Sequence, residues 1–436
     1  MTVAHPALAA EALRGAALLA SRLADPDVVE AAVAESEQSS RYPFGWGGPS
    51  LFAGHAGSAL VFQNAHRAQP ERAEHWRALA HQQLVLAAQT SFDVPLDNPG
   101  LAAGTAGLAF AFADSATEEP RYGATLAKLN AQLAEQVTGT VTWRAEDGVK
   151  DNDYDAVQGA SGTLGYLSLF GTDLAPDVQS AVDVLVNDLI WLCAPQERRW
   201  FIPPRHYPIE DYNEPYPHGY VNLGLAHGIP GPLAALSFAW RAGHRHEGLI
   251  ETVRHLTDYL VGVPCEDEWG RNWPGGIPLT EDGAENRGRL GRARTAWCYG
   301  APGIACALLN ASIALQDNEV REIAVDAFEA VLRRFTAAGR MDGATLCHGA
   351  AGLLAIAAAF DRQTDSAEIR DGIAALTEHV LSHCDEHLLL GVQDYEEAGV
   401  LLDNPGLLTG SAGVALALWS AAGAGDARWE RALLIG

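Results

Sequence analysis

Three residues of types that bind soft metal ions lie in two short glycine-containing segments. Cys298 falls within Trp297-Cys298-Tyr299-Gly300, and the adjacent residues Cys347 and His348 also precede a glycine. Two thiolates and one imidazole are ligands that zinc prefers. A structural zinc site uses four protein ligands, whereas a catalytic site keeps one position open for water or substrate. The sequence therefore predicts a single accessible zinc ion held by Cys298, Cys347 and His348.

For any one cysteine the alternative is an inert buried side chain, because free cysteine behaves as a small hydrophobic residue. We expect that simpler role of the four remaining cysteines, which are Cys193, Cys265, Cys306 and Cys384.

Four further residues, in the segments that lead to repeated glycines, could take part in acid–base or oxyanion chemistry. His227 precedes a glycine, and a neutral imidazole there could transfer a proton. His55 also adjoins a repeated glycine, so placement alone does not separate a catalytic histidine from a structural one. Asp155 could orient a histidine or simply cap a helix. Arg294 and Tyr299 could pack against the core or donate hydrogen bonds to a developing oxyanion.

These glycines belong to a repeat that spans the chain, and each Gly-x-x-Gly pair opens an apolar run typical of a buried helix. The seven pairs are Gly54/Gly57, Gly104/Gly107, Gly159/Gly162, Gly228/Gly231, Gly300/Gly303, Gly349/Gly352 and Gly410/Gly413. Amphipathic segments precede the pairs and predict outer helices. They are Ala7–Leu23, Glu74–Gln89, Tyr122–Gln136, Pro176–Leu192, Gly248–Val261, Glu319–Phe335 and Ala367–His383.

Seven helical hairpins predict an all-α fold, an α/α toroid of seven inner and seven outer helices. Glycine is required where the inner helices begin, because backbones crowd there and a side chain would clash. The candidate residues adjoin these helix starts, so a closed ring would gather them on one rim. We expect residues 1–436 to form a single domain, with short loop inserts near 195–221 and 264–293 on one rim.

Composition excludes several classes of function. The chain has 29 basic and 55 acidic residues, a formal net charge of -26, whereas nucleic-acid binding needs a basic face. No uninterrupted apolar stretch reaches membrane-spanning length. Residues 1–24 lack the basic start and apolar core of a signal peptide. Six cysteines in such a chain are poor evidence for disulfides, so we expect a reducing, cytoplasmic location.

The motifs together resemble those of the lanthipeptide (lantibiotic) cyclases of LanC type, and the resemblance covers essentially the whole chain. It rests on Tyr154-Asp155-x-x-x-Gly159, Asn222-Leu223-Gly224-Leu225-Ala226-His227-Gly228-Ile229-Pro230-Gly231-Pro232, Trp297-Cys298-Tyr299-Gly300-x-Pro302-Gly303 and Leu346-Cys347-His348-Gly349-x-x-Gly352. The resemblance implies an α/α toroid with zinc held by two cysteines and one histidine. His227 and Asp155 match the family's acid–base pair, and Arg294 and Tyr299 match its supporting polar residues.

The implied reaction adds a peptide cysteine to a dehydroalanine or dehydrobutyrine of the same peptide, giving lanthionine or methyllanthionine thioether rings. A free thiol with a pKa of about 8.5 is mostly protonated at neutral pH, whereas a metal-bound thiol is deprotonated. The implied partners are a dehydrated precursor peptide with leader and core, a separate dehydratase and a transporter, through which the enzyme could associate with a membrane. The length resembles that of a stand-alone cyclase.

Several other functions fit parts of the pattern. A LanC-like enzyme could add glutathione or another external thiol to dehydrated residues, with the same ligands. A zinc-retaining scaffold could bind a leader peptide without catalysis. A protein prenyltransferase β-subunit also activates thiols on zinc, but its ligand set includes an aspartate. A glycoside hydrolase needs two opposed carboxyl groups, and Asp155 has no evident carboxylate partner in the sequence.

Overall fold

The computed structural model describes residues 6–41, 45–140, 148–194, 199–288, 290–339, 341, 343–396 and 399–436. Residues 1–5 of the N-terminal segment, and residues 195–198 and 289 of the two expected inserts, lie outside the described residues. The described residues form sixteen α-helices: α1 Pro6–Leu23, α2 Pro26–Ser39, α3 His55–Ala68, α4 Ala73–Thr90, α5 Thr105–Ala116, α6 Gly123–Thr140, α7 Asp151–Tyr154, α8 Ala160–Leu167, α9 Pro176–Leu192, α10 Pro230–Arg241, α11 Leu249–Val261, α12 Ala301–Leu315, α13 Asn318–Ala338, α14 Ala350–Asp361, α15 Ala367–Ser382 and α16 Ser411–Ala421.

Seven of these helices form the predicted inner ring. Helices α3, α5, α8, α10, α12, α14 and α16 each begin one or two residues after the first glycine of a pair. Most of their residues are buried, because they are apolar nearly all round. Each packs against the next, and α16 packs against α3, so the ring is closed. The predicted all-α toroid is confirmed.

The seven predicted outer helices are present, with ends within a few residues of the amphipathic segments. Each packs on the inner helix that precedes it, while α1 packs on α16, the last inner helix. The helices α2 and α7 were not expected. The side chain of Asp25 caps α2 by accepting hydrogen bonds from the backbone N–H groups of Asp27 and Val28.

A circle of backbone hydrogen bonds links the turns before the seven inner helices. In each case a backbone N–H of one turn donates to a carbonyl of the next turn, at distances of 2.8 to 3.3 Å. The donor–acceptor pairs are Phe52 to Ala102, Ala102 to Val157, Ala156 to Ala226, Ala226 to Cys298, Cys298 to Cys347, Cys347 to Leu408 and Leu407 to Phe52. The last pair returns to the first turn, and the circle therefore fixes neighbouring turns in register.

The second glycine of a pair lies directly against the turn that leads into its own helix. A Cβ atom at Gly57 would overlap the carbonyl oxygen of Leu51, and one at Gly352 would overlap that of Leu346. These positions therefore require glycine for close approach of two backbone segments.

Among the described residues, six three-residue strands lie between the helices, and they form three antiparallel pairs. They are β1 Tyr220–Asn222, β2 Cys265–Asp267, β3 Gly270–Asn272, β4 Gly276–Pro278, β5 Asp394–Glu396 and β6 Val400–Leu402. β1 pairs with β4, which ties the two predicted insert regions together, and β2 pairs with β3. The pair of β5 and β6 forms a third insert that the sequence pattern did not predict.

The buried apolar residues form one continuous cluster. The assignment of residues 1–436 to a single domain stays a prediction. None of the described helices is long and apolar enough to cross a membrane.

Replacing Gly57 with alanine tests the crowding at the helix starts. Because the added methyl group meets the carbonyl of Leu51, we expect a loss of about 1–3 kcal/mol in the free energy of unfolding. Gly123→Ala is the control, since Gly123 has helical backbone angles and no described atom lies within 4 Å of its Cβ position. Denaturant unfolding measures both variants, and equal stability would contradict the crowding argument.

Candidate active site

A cavity of about 450 Å³ lies at the rim where the inner helices begin. Six of the seven predicted site residues line it: His227, Arg294, Cys298, Tyr299, Cys347 and His348. The seventh, Asp155, is fully buried outside the cavity wall, and its carboxylate contacts the imidazole of His227. The structure thus brings together all seven residues of the predicted site, whereas their chemical roles stay predictions.

The register of the ring explains why these residues meet. Cys298 and Cys347 each lie two residues before the first glycine of their repeat, and the N–H of Cys298 donates to the carbonyl of Cys347 at 3.3 Å. His227, Tyr299 and His348 each lie one residue before the corresponding glycine, in three consecutive repeats. Equivalent positions in neighbouring turns therefore supply both thiols and both imidazoles.

Asp155 serves two groups with its two carboxylate oxygens. Oδ1 accepts hydrogen bonds from the backbone N–H groups of Val157, Gln158 and Gly159, at 2.7 to 2.9 Å. Oδ2 lies 2.6 Å from Nδ1 of His227. The carboxylate therefore holds the turn before α8 and orients the histidine at once. A carboxylate accepts only, so Nδ1 donates and Nε2 of a neutral His227 remains a proton acceptor.

The electrostatic surroundings favour the protonated form of His227. Burial lowers its pKa, but the hydrogen bond and negative charge of Asp155 outweigh burial and raise the pKa above its ordinary value. The side chain is still 36% exposed, so it can exchange a proton with a group in the cavity. Because the folded-state pKa is the higher one, protonated His227 stabilises the fold below pH of about 6.5, and this contribution is lost as pH rises through the folded-state value.

The thiols of Cys298 and Cys347 shift each other's pKa in opposite directions. Hydrogen bonding with the Cys347 thiol lowers the pKa of Cys298 to about 7, against the opposing effect of burial, and the positive charge of Arg294 adds to the lowering. The same bond and burial raise the pKa of Cys347 well above its ordinary value. The pair therefore holds a thiolate on Cys298 more readily than on Cys347.

Asp394 contacts His348, and it was not identified from the sequence. Nε2 of His348 lies 3.5 Å from Oδ1 of Asp394, which also accepts a hydrogen bond of 2.8 Å from the Thr345 hydroxyl. The hydrogen bond to Asp394 raises the pKa of His348. Asp394 lies in β5, outside the glycine repeat, so no repeat position indicated it.

The donor atoms fit zinc in chemical type. Two cysteine sulfurs and an imidazole are soft to borderline ligands, and metal-binding histidines usually have their second ring nitrogen held by a carboxylate, as Asp394 holds Nε2 of His348. As the side chains stand, however, no group of three or more His, Cys, Asp or Glu residues within the described part of the chain is spaced to hold a metal ion.

Tyrosines from the first insert region form one wall of the cavity. Tyr212, Tyr216 and Tyr220 line it together with Tyr299, and the rings of Tyr216 and Tyr220 stack with centroids 4.4 Å apart. Burial raises the pKa of Tyr299 well above its ordinary value, so this phenol is protonated at neutral pH and can donate a hydrogen bond. The sequence predicted a loop insert here but indicated no role for its tyrosines.

His55 does not belong to the cavity wall. Its Nδ1 lies 2.8 Å from Oε1 of Gln83, and its ring contacts Trp46, so it packs within the first repeat. The structure therefore separates His55 from His227, which placement next to a glycine could not do.

Comparisons with known proteins agree with this fold. A family model described as lanthionine synthetase C-like protein matches residues 45–434. The chain is 26% identical over 267 residues to the nisin biosynthesis protein NisC of Lactococcus lactis subsp. lactis. That match covers 60% of this chain and spans about three-fifths (62%) of the relative's length. A solved structure of nisin cyclase shares the fold, with a TM-score of 0.76 at 22% identity over 93% of this chain and 96% of that one.

Replacing Asp155 with asparagine tests the control of His227. Asparagine keeps an oxygen for the three backbone N–H groups but removes the negative charge, so we expect the pKa of His227 to fall. Its amide would also donate to Nδ1 and move the imidazole proton to Nε2. NMR of the imidazole nitrogens as a function of pH measures both changes. An unaltered pKa and tautomer would mean that Asp155 acts on the turn alone.

Proposed function

Because this chain belongs to the lanthionine synthetase C-like family, we propose that it is a zinc-dependent lanthionine cyclase. The reaction would add a peptide cysteine thiol across the double bond of a dehydroalanine or dehydrobutyrine in the same peptide. A carbon–sulfur bond forms at the β-carbon and the thiol proton is replaced by one at the α-carbon, with no by-product. The main structural support is that the Cys298–Cys347 pair and His227 face one cavity.

Cys298, Cys347 and His348 are the residues that would hold zinc. Bound zinc would lower the pKa of a substrate thiol so that it reacts as a thiolate. Asp394 would hold the His348 imidazole through Nε2 and leave Nδ1 as the ligating nitrogen. This ligand set requires the thiol and imidazole side chains to move closer together than they stand in the structure.

His227 is proposed as the proton-transfer group. Its Nδ1 is held by Asp155, so Nε2 can take a proton from the incoming thiol and return one to the α-carbon. The raised pKa keeps the imidazolium stable between these two transfers. Both transfers need the tautomer that Asp155 selects, which is why the two residues act as a unit.

Arg294 and Tyr299 are proposed to stabilise the enolate that forms when sulfur attacks the β-carbon. Both line the cavity, Arg294 with a fixed positive charge and Tyr299 with a protonated phenol. Donors held in place before the reaction stabilise developing negative charge without reorganisation. Arg294 and Tyr299 would thus both donate hydrogen bonds to the negatively charged enolate oxygen.

The proposed substrate is a dehydrated precursor peptide with leader and core. A separate dehydratase must supply the dehydroalanine or dehydrobutyrine, and a transporter is the further proposed partner. The expected site of the reaction is the reducing cytoplasm, where cysteines stay free.

Two variants separate zinc binding from ring closure. We expect about one zinc ion per chain in the wild type and in His227→Ala, and loss of zinc in Cys347→Ala, by elemental analysis. His227→Ala should lose ring closure, by about a hundredfold or more, because the proton-transfer group is missing. Ring closure leaves the peptide mass unchanged, so alkylation of the remaining free thiol followed by mass spectrometry measures it.

The same assay distinguishes the alternatives. Full ring closure by His227→Ala would remove His227 from the mechanism. Absence of zinc from wild-type protein purified without chelators would contradict the mechanism in which zinc activates the thiol. A peptide that gains the mass of added glutathione, while its own thiol stays free, would instead favour an enzyme for external thiols.

Replacing Asp394 with asparagine tests its support of His348. We expect zinc affinity to fall by about 10–100-fold, because removal of a carboxylate that holds a ligating histidine typically has this effect. Asp403→Asn is the matched control, since Asp403 is equally buried in the same insert but bonds to Gln393 and the backbone of Leu390. Competition with a chromogenic chelator measures affinity, and an equal affinity of both variants would assign Asp394 a purely structural role.

A further inference from the structure

The fully buried amide of Asn222 joins the turn before α10 to the tyrosine wall of the cavity. Its Oδ1 accepts a hydrogen bond of 2.9 Å from the backbone N–H of Gly224. Its Nδ2 donates to the phenol oxygens of Tyr299, at 3.1 Å, and Tyr220, at 3.3 Å. Every polar atom of this side chain is therefore engaged.

The orientation of the amide follows from its partners. A backbone N–H can only donate, so the group that faces Gly224 must be the amide oxygen, and the NH2 group must face the two phenols. Tyr299 therefore accepts from Asn222, and its own proton is directed elsewhere. The Tyr299 ring lines the cavity, so this proton can be directed toward a bound substrate.

Two other repeats carry an asparagine at the equivalent position, six residues before the first glycine. Asn98 and Asn404 also accept a hydrogen bond from the backbone N–H two residues later, at 3.0 and 2.7 Å. The turn therefore accounts for the position of the amide oxygen in all three repeats. It does not account for the partner of the NH2 group, because Nδ2 of Asn404 donates to the Thr409 hydroxyl and not to a tyrosine.

The surroundings of Asn222 hold it against Tyr299. Asn222 lies in β1 opposite Gly276 of β4, and Leu223 donates to the carbonyl of Gly275. A Cβ atom at Gly224 would lie 2.6 Å from the Tyr299 ring, so the turn and the ring are in close contact. The geometry therefore leaves the phenol little freedom to rotate away.

We propose that Asn222 is a positioning residue of the cyclisation reaction: by donating to the phenol oxygen of Tyr299, it makes Tyr299 a hydrogen-bond donor toward the carbonyl oxygen of the reacting dehydroamino acid. The proposal rests on the proposed function. Without the amide donor, nothing would direct the phenol proton toward the substrate, and an aspartate at position 222 would also compete for it, so the enolate would lose one of its donors.

Asn222→Asp and Asn222→Ser test this role, with Asn404→Asp as the matched control. Aspartate keeps an oxygen for the turn and removes the donor, and serine keeps a turn acceptor but is too short to reach the phenols. The probe is a synthetic peptide with one dehydroalanine and one cysteine, and the remaining free thiol is measured by alkylation and mass spectrometry. Melting temperatures show whether each variant folds.

We expect both Asn222 variants to lose kcat by about tenfold or more, with KM nearly constant, since the donor acts on the enolate rather than on the bound peptide. In a Tyr299→Phe background the same substitutions should change kcat by no more than about twofold, because the group they act through is gone. Asn404→Asp should turn over like the wild type.

Equal kcat values for Asn222→Asp and Asn404→Asp would overturn the proposal and leave Asn222 a role in the turn alone. The proposal would also be overturned if the Asn222 substitutions lowered kcat as much in the Tyr299→Phe background as in the wild type. A wild-type enzyme that consumes no thiol of the peptide would overturn the proposed function, and this inference with it. An active wild type with additive substitutions would overturn this inference only.

Discussion

The closed circle of backbone hydrogen bonds is the constraint on which the site depends. Each bond joins the turn before one inner helix to the turn before the next, and the bond from Leu407 to Phe52 closes the circle. Fixed register means that the residues just before each glycine occupy equivalent positions around the rim. The residue types at these equivalent positions therefore determine which side chains meet at the rim. Cys298 and Cys347 are an example, because they occupy the same position in neighbouring repeats. Neither cysteine needs a dedicated loop to reach the other.

Polar side chains at the site use one atom to hold the turn and another to hold a side chain that lines the cavity. Asp155 satisfies three backbone N–H groups with Oδ1 and orients His227 with Oδ2. Asn222 holds Gly224 with its oxygen and Tyr299 with its nitrogen. Capping a turn and orienting a histidine are therefore not competing descriptions of Asp155. Because the turn already fixes each side chain, orienting the neighbouring group costs little additional conformational entropy.

The sequence predicted what the repeat determines and missed what lies outside it. Gly-x-x-Gly pairs gave the toroid, and their spacing from His227 and Cys298 gave the shared rim. Asp394 was missed because β5 has no counterpart in other repeats, so its approach to His348 depends on how an insert folds back. The contact of Asn222 with Tyr299 was missed for another reason: the motif contained both residues, but the direction of an amide is decided by three-dimensional partners.

Local electrostatics, rather than burial or net charge, decide which cysteine can become a thiolate. Burial raises the pKa of Cys306, and it raises that of Cys384 to about 11. Cys298 is also buried, yet its pKa is lowered to about 7, because the Cys347 thiol donates to it and the positive charge of Arg294 lies close by. A formal net charge of -26 would oppose a thiolate if every charge acted equally at any distance. Distant surface carboxylates have little effect, because solvent screens their charge over about 10 Å. Groups of the neighbouring turns lie much closer to the sulfur, so their effect on its pKa is larger.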